Sequence, residues 1–124
     1  MMNPFLQVAL GGAMGATVRY AVYRAIPLHG PGFPVATGGV NVLGSFAMGM
    51  LVAFMAYRWN SHYAPLLLTG LLGGFTTFSA FSLDAVTLWE RGQAAGALIY
   101  VFGSVILSIV AVIAGLAVGR GLWG

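Results

Sequence analysis

Hydrophobic and polar positions divide the chain into four long apolar runs separated by short polar segments. The runs cover about 4–26, 35–57, 64–89 and 95–119. Because a helix needs about 20 residues to cross a bilayer core of roughly 30 Å, each run is long enough for one transmembrane helix. The pattern therefore predicts an all-α membrane protein with four transmembrane helices, formed by a single domain over residues 1–124.

The segments between the runs have the composition of turns at a membrane surface. The first, IPLHGPGFP, carries three prolines and two glycines and cannot continue a helix. The second and third, RWNSHYAP and WERGQAAG, contain the Trp, Tyr and Arg side chains that favour the interface between lipid and water. The start of the chain lacks the positive region of a secretory signal, so we expect the first run to be retained as a span.

Composition supports a membrane location and excludes several classes of function. Of 124 residues, 60% are hydrophobic and 6% are charged, and the mean hydropathy is +0.94, so too few polar side chains exist to cover a water-soluble surface. The absence of cysteine excludes disulfides and thiolate metal sites. The arginines are scattered, which argues against nucleic-acid binding. No nucleophile and base pair, metal quartet or phosphate loop is present, so we expect no enzyme activity.

The positive charges near the ends of the runs are balanced between the two sides of the membrane. Arg58 and Arg120 lie on one predicted side, and Arg24 and Arg91 lie on the other. Since the orientation of a membrane protein follows an excess of positive charge, this balance allows dual topology, in which opposite orientations can pair as an antiparallel homodimer. The alternative is a single orientation set by the terminal amine or by an insertion factor.

The third run contains an unusual stretch, GGFTTFSAFS, over residues 73–82. The midpoint of the run falls near Thr76, where an unpaired carbonyl in hydrocarbon costs several kcal/mol. One interpretation is a helix broken near the midplane, whose freed carbonyls bind a hard cation such as sodium between two antiparallel copies. The other is a continuous helix with a glycine packing notch and threonine hydroxyls bonded to preceding carbonyls.

Polar or aromatic side chains with helical spacing occur in three runs: Asn41; Phe78 and Phe81; and Tyr100, Ser104 and Ser108. An amide and hydroxyls supply hydrogen-bond donors where water is absent, and ring edges carry partial positive charge, so together these groups can line an anion path. Taken singly, each has a structural explanation as an interhelical hydrogen bond, a packing contact or part of an aromatic belt.

Two charged residues in the runs need separate interpretations. Arg19 lies far from both ends of the first run, so it either snorkels to the interface or raises the electrostatic potential of an anion vestibule. Asp84 lies eight residues after Thr76, about 12 Å along a helix, which places it near the interface as a helix-end or partner-pairing residue.

Four segments together resemble the small bacterial fluoride channels called Fluc or CrcB: GGAMGATVRY, TGGVNVLGSFAMG, GLLGGFTTFSAFS and the Tyr and Ser stripe of the last run. The resemblance implies an antiparallel dual-topology dimer in the bacterial inner membrane, with a broken third helix, a central structural sodium ion and two fluoride pores. The third segment differs from the family pattern TFSTFSxE at Ala80 and Asp84, which bears on the polar lining and leaves the phenylalanine pair intact.

The resemblance also assigns residues. It implies sodium bound by the backbone carbonyls of Gly73 and Thr76, and an arginine of the first span at Arg19. Its fluoride path comprises Asn41, Phe78, Phe81, Tyr100, Ser104 and Ser108, with further hydroxyls from Thr77 and Ser79. The partners it implies are fluoride, membrane lipid and a second copy of the chain.

We therefore expect a channel through which fluoride leaves the cytoplasm passively, lowering its toxicity. A small multidrug transporter also has four spans, but it requires a carboxylate within the first span, and residues 4–26 contain none. A structural or assembly subunit, whose glycines serve packing alone, is the third possibility.

Overall fold

The structure of the chain is a computed structural model that describes residues 3–26, 34–57 and 61–124. Within these ranges the backbone forms helices and no strand. The helices are α1 (Pro4–Ala25), α2 (Val35–Tyr57), α3 (π-helical turns over Pro65–Leu72 that continue as α-helix over Gly73–Phe75), α4 (Phe78–Glu90) and α5 (Ala94–Trp123), with a 3₁₀ turn at Ser61–Tyr63 before α3.

Three regions of the described structure are long and apolar enough to cross a membrane: Val35–Tyr57, Pro65–Glu90 and Ala94–Trp123. They confirm the all-helical membrane class and coincide closely with three of the predicted runs. Helix α1 has 22 residues, which is long enough for a span, but Gln7 and Arg19 make it less apolar than the others. The fourth span stays a prediction. Most of IPLHGPGFP, as well as Arg58, lies outside the described residues.

Small residues allow α1 to approach α3 at backbone distance. A Cβ atom at Gly11 would meet the Leu66 carbonyl, and one at Gly15 would meet the Leu71 carbonyl. Gln7, one turn before Gly11, is buried and accepts a hydrogen bond from the Leu66 amide at 3.2 Å. Because amides in the first turn of a helix lack internal acceptors, Gln7 caps α3 from the neighbouring helix.

Helices α2 and α5 pack against each other in the same way. A Cβ atom at Gly49 would meet the Val112 carbonyl, and one at Gly115 would meet the Phe46 carbonyl. Close backbone approach of this kind is how helices associate in a bilayer, where hydrophobicity gives no net attraction between them. The glycines at these contacts therefore let the helix backbones approach closely.

Helix α4 packs on α5 through a small cluster of buried side chains: Phe81 and Leu88 on α4, and Ala97 and Tyr100 on α5. The connection between the two helices is short, and Gly92 within it has a φ of +80°, the left-handed region that glycine adopts without strain. This tight turn brings α5 back along α4 and places Tyr100 beside Phe81.

Candidate ion pathway at the break between α3 and α4

Helical backbone stops at Phe75 and starts again at Phe78. Thr76 (φ −83°, ψ 158°) and Thr77 (φ −151°, ψ 125°) between them are extended, and they lie at the centre of the 26-residue segment Pro65–Glu90. The Thr76 amide and hydroxyl both donate to the Leu72 carbonyl at 2.9 Å. The Thr77 hydroxyl accepts from the Ala80 amide at 3.2 Å. The two threonines therefore cap the helix ends on either side of the break.

Asn41 of α2 pairs with the extended backbone at the break. Its Oδ1 accepts from the Thr77 amide at 2.7 Å, and its Nδ2 donates to the Thr77 carbonyl at 2.9 Å. The amide orientation is fixed by chemistry, since a backbone N–H only donates and a carbonyl only accepts. Asn41 thus replaces two hydrogen bonds that a continuous helix would have made. One N–H of Nδ2 remains outside this pair.

Arg19 of α1 contacts the backbone just before the break. Its Nε donates to the Gly74 carbonyl at 3.1 Å, and the side chain is half-buried. Gly74 has no room for a side chain, because a Cβ atom there would lie 2.8 Å from the Gly12 carbonyl. The close contact of α1 with α3 therefore brings the guanidinium to the turn that precedes the break.

The break also changes the surroundings of the two carbonyls predicted to bind sodium, those of Gly73 and Thr76. In a continuous helix their hydrogen-bond donors would be the amides of Thr77 and Ala80, four residues further on. Those amides instead donate to Asn41 and to the Thr77 hydroxyl. Gly73 is exposed. The two carbonyls predicted to bind sodium therefore lack the amide donors that a regular helix would give them.

A partly open cavity of about 380 Å³ lies beside the break, between α2, α4 and α5. Six of the predicted path residues line it: Asn41, Thr77, Phe78, Phe81, Ser104 and Ser108. The rest of its wall comprises Gly44, Ser45, Met48, Thr76, Val105, Ile109 and Val112. The cavity therefore combines an amide, several hydroxyls and two rings in an otherwise apolar wall.

Three aromatic rings continue from this cavity toward α5. Phe78 and Phe81 have ring centroids 5.5 Å apart at an interplanar angle of 46°, and Phe81 and Tyr100 are 5.1 Å apart at 40°. Phe81 and Tyr100 are buried, whereas Phe78 leaves 77% of its surface exposed. Tilted rings present edges as well as faces, and the edges carry the partial positive charge that attracts anions.

Four of the predicted site residues lie outside the cavity wall. Gly73 and Arg19 lie on the α1 and α3 side of the break, as described above. Ser79 is exposed and lies 3.2 Å from the Thr77 hydroxyl, oxygen to oxygen. Tyr100 is buried behind Phe81. The roles of all the predicted site residues, inside and outside the cavity wall, stay predictions.

The environment of Asp84 differs in part from the sequence prediction. Asp84 accepts a hydrogen bond from the Tyr100 hydroxyl at 3.3 Å, which confirms a pairing role. It is not a helix-end residue, because α4 continues to Glu90. On the neighbouring helices, the hydroxyls of Tyr23 and Thr37 lie 3.1 Å apart. Neither residue was predicted from the sequence to belong to the site, although Thr37 lies one turn before Asn41 on the same helical face.

Comparison with known proteins identifies the family. The profile of the family described as CrcB-like protein, Camphor Resistance (CrcB), matches residues 6–116. The chain belongs to the CrcB-like family. Among its CrcB-like relatives, a protein of Paracoccus denitrificans named fluoride-specific ion channel FluC is 61% identical over 123 residues, covering 99% of both chains. Proteins of the same name from Cereibacter sphaeroides and Rhizobium etli are 59% and 54% identical, each covering at least 98% of both chains. With its apolar helices, this CrcB-like chain is a multi-pass bacterial membrane protein.

Proposed function

We propose that the chain is a fluoride-selective channel that lets fluoride leave the bacterial cytoplasm passively across the inner membrane, lowering its toxicity. The relatives named above are fluoride-specific ion channels and cover nearly the whole chain. A membrane potential negative inside drives a monovalent anion outward by about 2.3 kcal/mol per 100 mV. Export therefore needs no coupled ion. Channel activity involves no covalent chemistry, and the family is not one of enzymes.

The channel is an antiparallel homodimer. In each copy, α1 crosses the membrane in addition to the three apolar spans, and the break between α3 and α4 lies near the bilayer midplane. The balance of arginines on the two sides of the membrane favours insertion in both orientations. Phe78 is exposed at the partly open cavity and Gly73 is exposed on the other side of the break, and both observations support a covering partner. A polar backbone turn at this depth requires such shielding from lipid.

A structural sodium ion at the dimer interface fits the residues at the break. Backbone carbonyl oxygens are ligands that hard cations prefer, and the helical donors of Gly73 and Thr76 are engaged elsewhere. The surface at Gly73 is open, since a Cβ atom there would meet nothing nearer than the Leu68 carbonyl at 3.6 Å. When bound, sodium would neutralise carbonyl dipoles contributed by both copies. Gly73 and Thr76 would hold it.

Fluoride passes through the cavity by exchanging water for fixed donors. The N–H of Asn41 outside its pair with Thr77, together with the hydroxyls of Ser104 and Ser108, replaces part of the hydration shell. The edges of Phe78 and Phe81 attract the dehydrated anion without binding it tightly. Conduction requires this combination of favourable entry and weak retention.

The observation that carries the proposal is the gathering of Asn41, Phe78 and Phe81 around one cavity at the break. Its test is fluoride efflux from liposomes that contain the purified protein, recorded with a fluoride electrode. We expect rapid efflux from wild-type vesicles, loss of efflux in Asn41→Asp, where a carboxylate opposes the anion, and little release of chloride. Efflux of organic cations coupled to protons would favour a multidrug transporter, and no flux of any kind would favour an assembly subunit.

A further inference from the structure

The carbonyls around the break are not equivalent, because side chains already occupy some of them. The Gly74 carbonyl accepts from Arg19, and the Thr77 carbonyl accepts from Asn41. The Leu72 carbonyl accepts two hydrogen bonds from Thr76. Between these three positions in the sequence lie the carbonyls of Gly73 and Thr76, whose regular helical donors are engaged elsewhere.

Arg19 has the properties needed to keep a cation away from Gly74. A guanidinium is always charged, and its hydrogen bond to a carbonyl uses one of the two lone pairs that a metal ion could share. The Nε atom lies 3.1 Å from the Gly74 oxygen, so the positive charge also repels a second cation at that position.

We propose that Arg19 is a positioning residue for the cation site: by occupying the Gly74 carbonyl, it fixes the turn before the break and leaves Gly73 and Thr76 to the ion. The inference rests on the proposed function. It differs from the electrostatic role in an anion vestibule, because it requires a donor at the position of Nε and not merely a positive charge nearby.

Three substitutions of Arg19 separate the donor from the charge. In Arg19→Gln, the amide nitrogen occupies the same place along the side chain as the Nε of arginine, so the donor remains while the charge is lost. In Arg19→Lys, a methylene occupies that place and the charge lies one atom further out. Arg19→Met has neither a donor nor a charge.

The measurement is the rise in the thermal unfolding midpoint of the purified dimer with increasing sodium, with N-methylglucamine replacing sodium at constant ionic strength. We expect half-maximal stabilisation of Arg19→Gln near the wild-type sodium concentration. For Arg19→Lys and Arg19→Met we expect half-maximal stabilisation to need about fivefold more sodium, or the stabilisation to be lost, as for removal of one hydrogen bond. Arg24→Met, an exposed position on the same helix, removes the same charge and should keep the wild-type response.

Several results would overturn the inference. If Arg19→Lys kept the wild-type stabilisation by sodium and Arg19→Gln lost it, the effect would come from the charge and not from the donor. If all the variants were stabilised equally by sodium, the hydrogen bond to Gly74 would have no influence on cation binding. If sodium did not raise the unfolding midpoint of the wild-type protein, there would be no cation site for Arg19 to position. Fluoride efflux measured on the same wild-type preparation separates these results from failure of the proposed function, since efflux can persist in each of them.

Discussion

Replacing Asn41 by leucine tests whether one side chain holds the broken backbone together. Leucine has nearly the same shape as asparagine but offers no hydrogen bond. The change therefore leaves the Thr77 amide and carbonyl, now bonded at 2.7 and 2.9 Å, without their partners. Each unsatisfied backbone group costs about 1–3 kcal/mol. We expect Asn41→Leu to lower the free energy of unfolding by about 2–6 kcal/mol in total.

The assay is reversible unfolding in mixed micelles of detergent and SDS, followed by circular dichroism at fixed protein concentration. Ser45→Ala serves as the control, because Ser45 lies one turn further along the same helix and lines the same cavity. We expect it to change the free energy of unfolding by less than about 1 kcal/mol, as is usual away from such networks. An Asn41→Leu protein as stable as the Ser45→Ala protein would show that the Asn41 side chain does not stabilise the broken backbone.

Three further predictions concern packing, the aromatic rings and the pair formed by Asp84 and Tyr100. Gly11→Ala would place a Cβ atom 2.8 Å from the Leu71 amide nitrogen and should lower the free energy of unfolding by about 1–3 kcal/mol in the same assay. Gly12→Ala, where the Cβ atom meets open space, should leave the free energy of unfolding unchanged or raise it by up to about 1 kcal/mol. Equal effects of the two would contradict close helix contact. Phe78→Ile should reduce fluoride efflux by about fivefold or more, the loss of about 1 kcal/mol from a ring edge; unchanged efflux would remove Phe78 from the path. Tyr100→Phe removes the donor to Asp84 and should cost about 1–3 kcal/mol of unfolding free energy; no loss would show that the bond contributes nothing.

The helices and their packing were predictable because both depend on local composition and spacing. Long apolar runs coincide with α2, the α3 and α4 segment, and α5, and glycines four residues apart lie where helix backbones meet. The stretch GGFTTFSAFS contained the position of the break. The sequence left a broken and a continuous helix open, and the Thr76 hydroxyl makes the bond expected of the continuous one. The extended dihedrals depend on partners from other helices.

Those partners could not be predicted, because they come from residues far apart in the chain. Arg19 and Gly74 are 55 positions apart, and Gln7 and Leu66 are 59 positions apart. Asn41 was expected either to line an ion path or to make an interhelical hydrogen bond. The structure places it in the cavity wall and on the Thr77 backbone at once. A single sequence specifies that a membrane amide needs a partner but does not specify which one.

In the proposed dimer, a second copy of the chain covers the open backbone at the break. Because the chain contains no cysteine, Gly73→Cys would introduce a single thiol at an exposed position next to the proposed two-fold axis. Oxidative crosslinking in native membranes measures directly whether two such residues meet. The account predicts a covalent dimer that still binds sodium or conducts fluoride. A protein that conducts fluoride while residue 73 never crosslinks would contradict it.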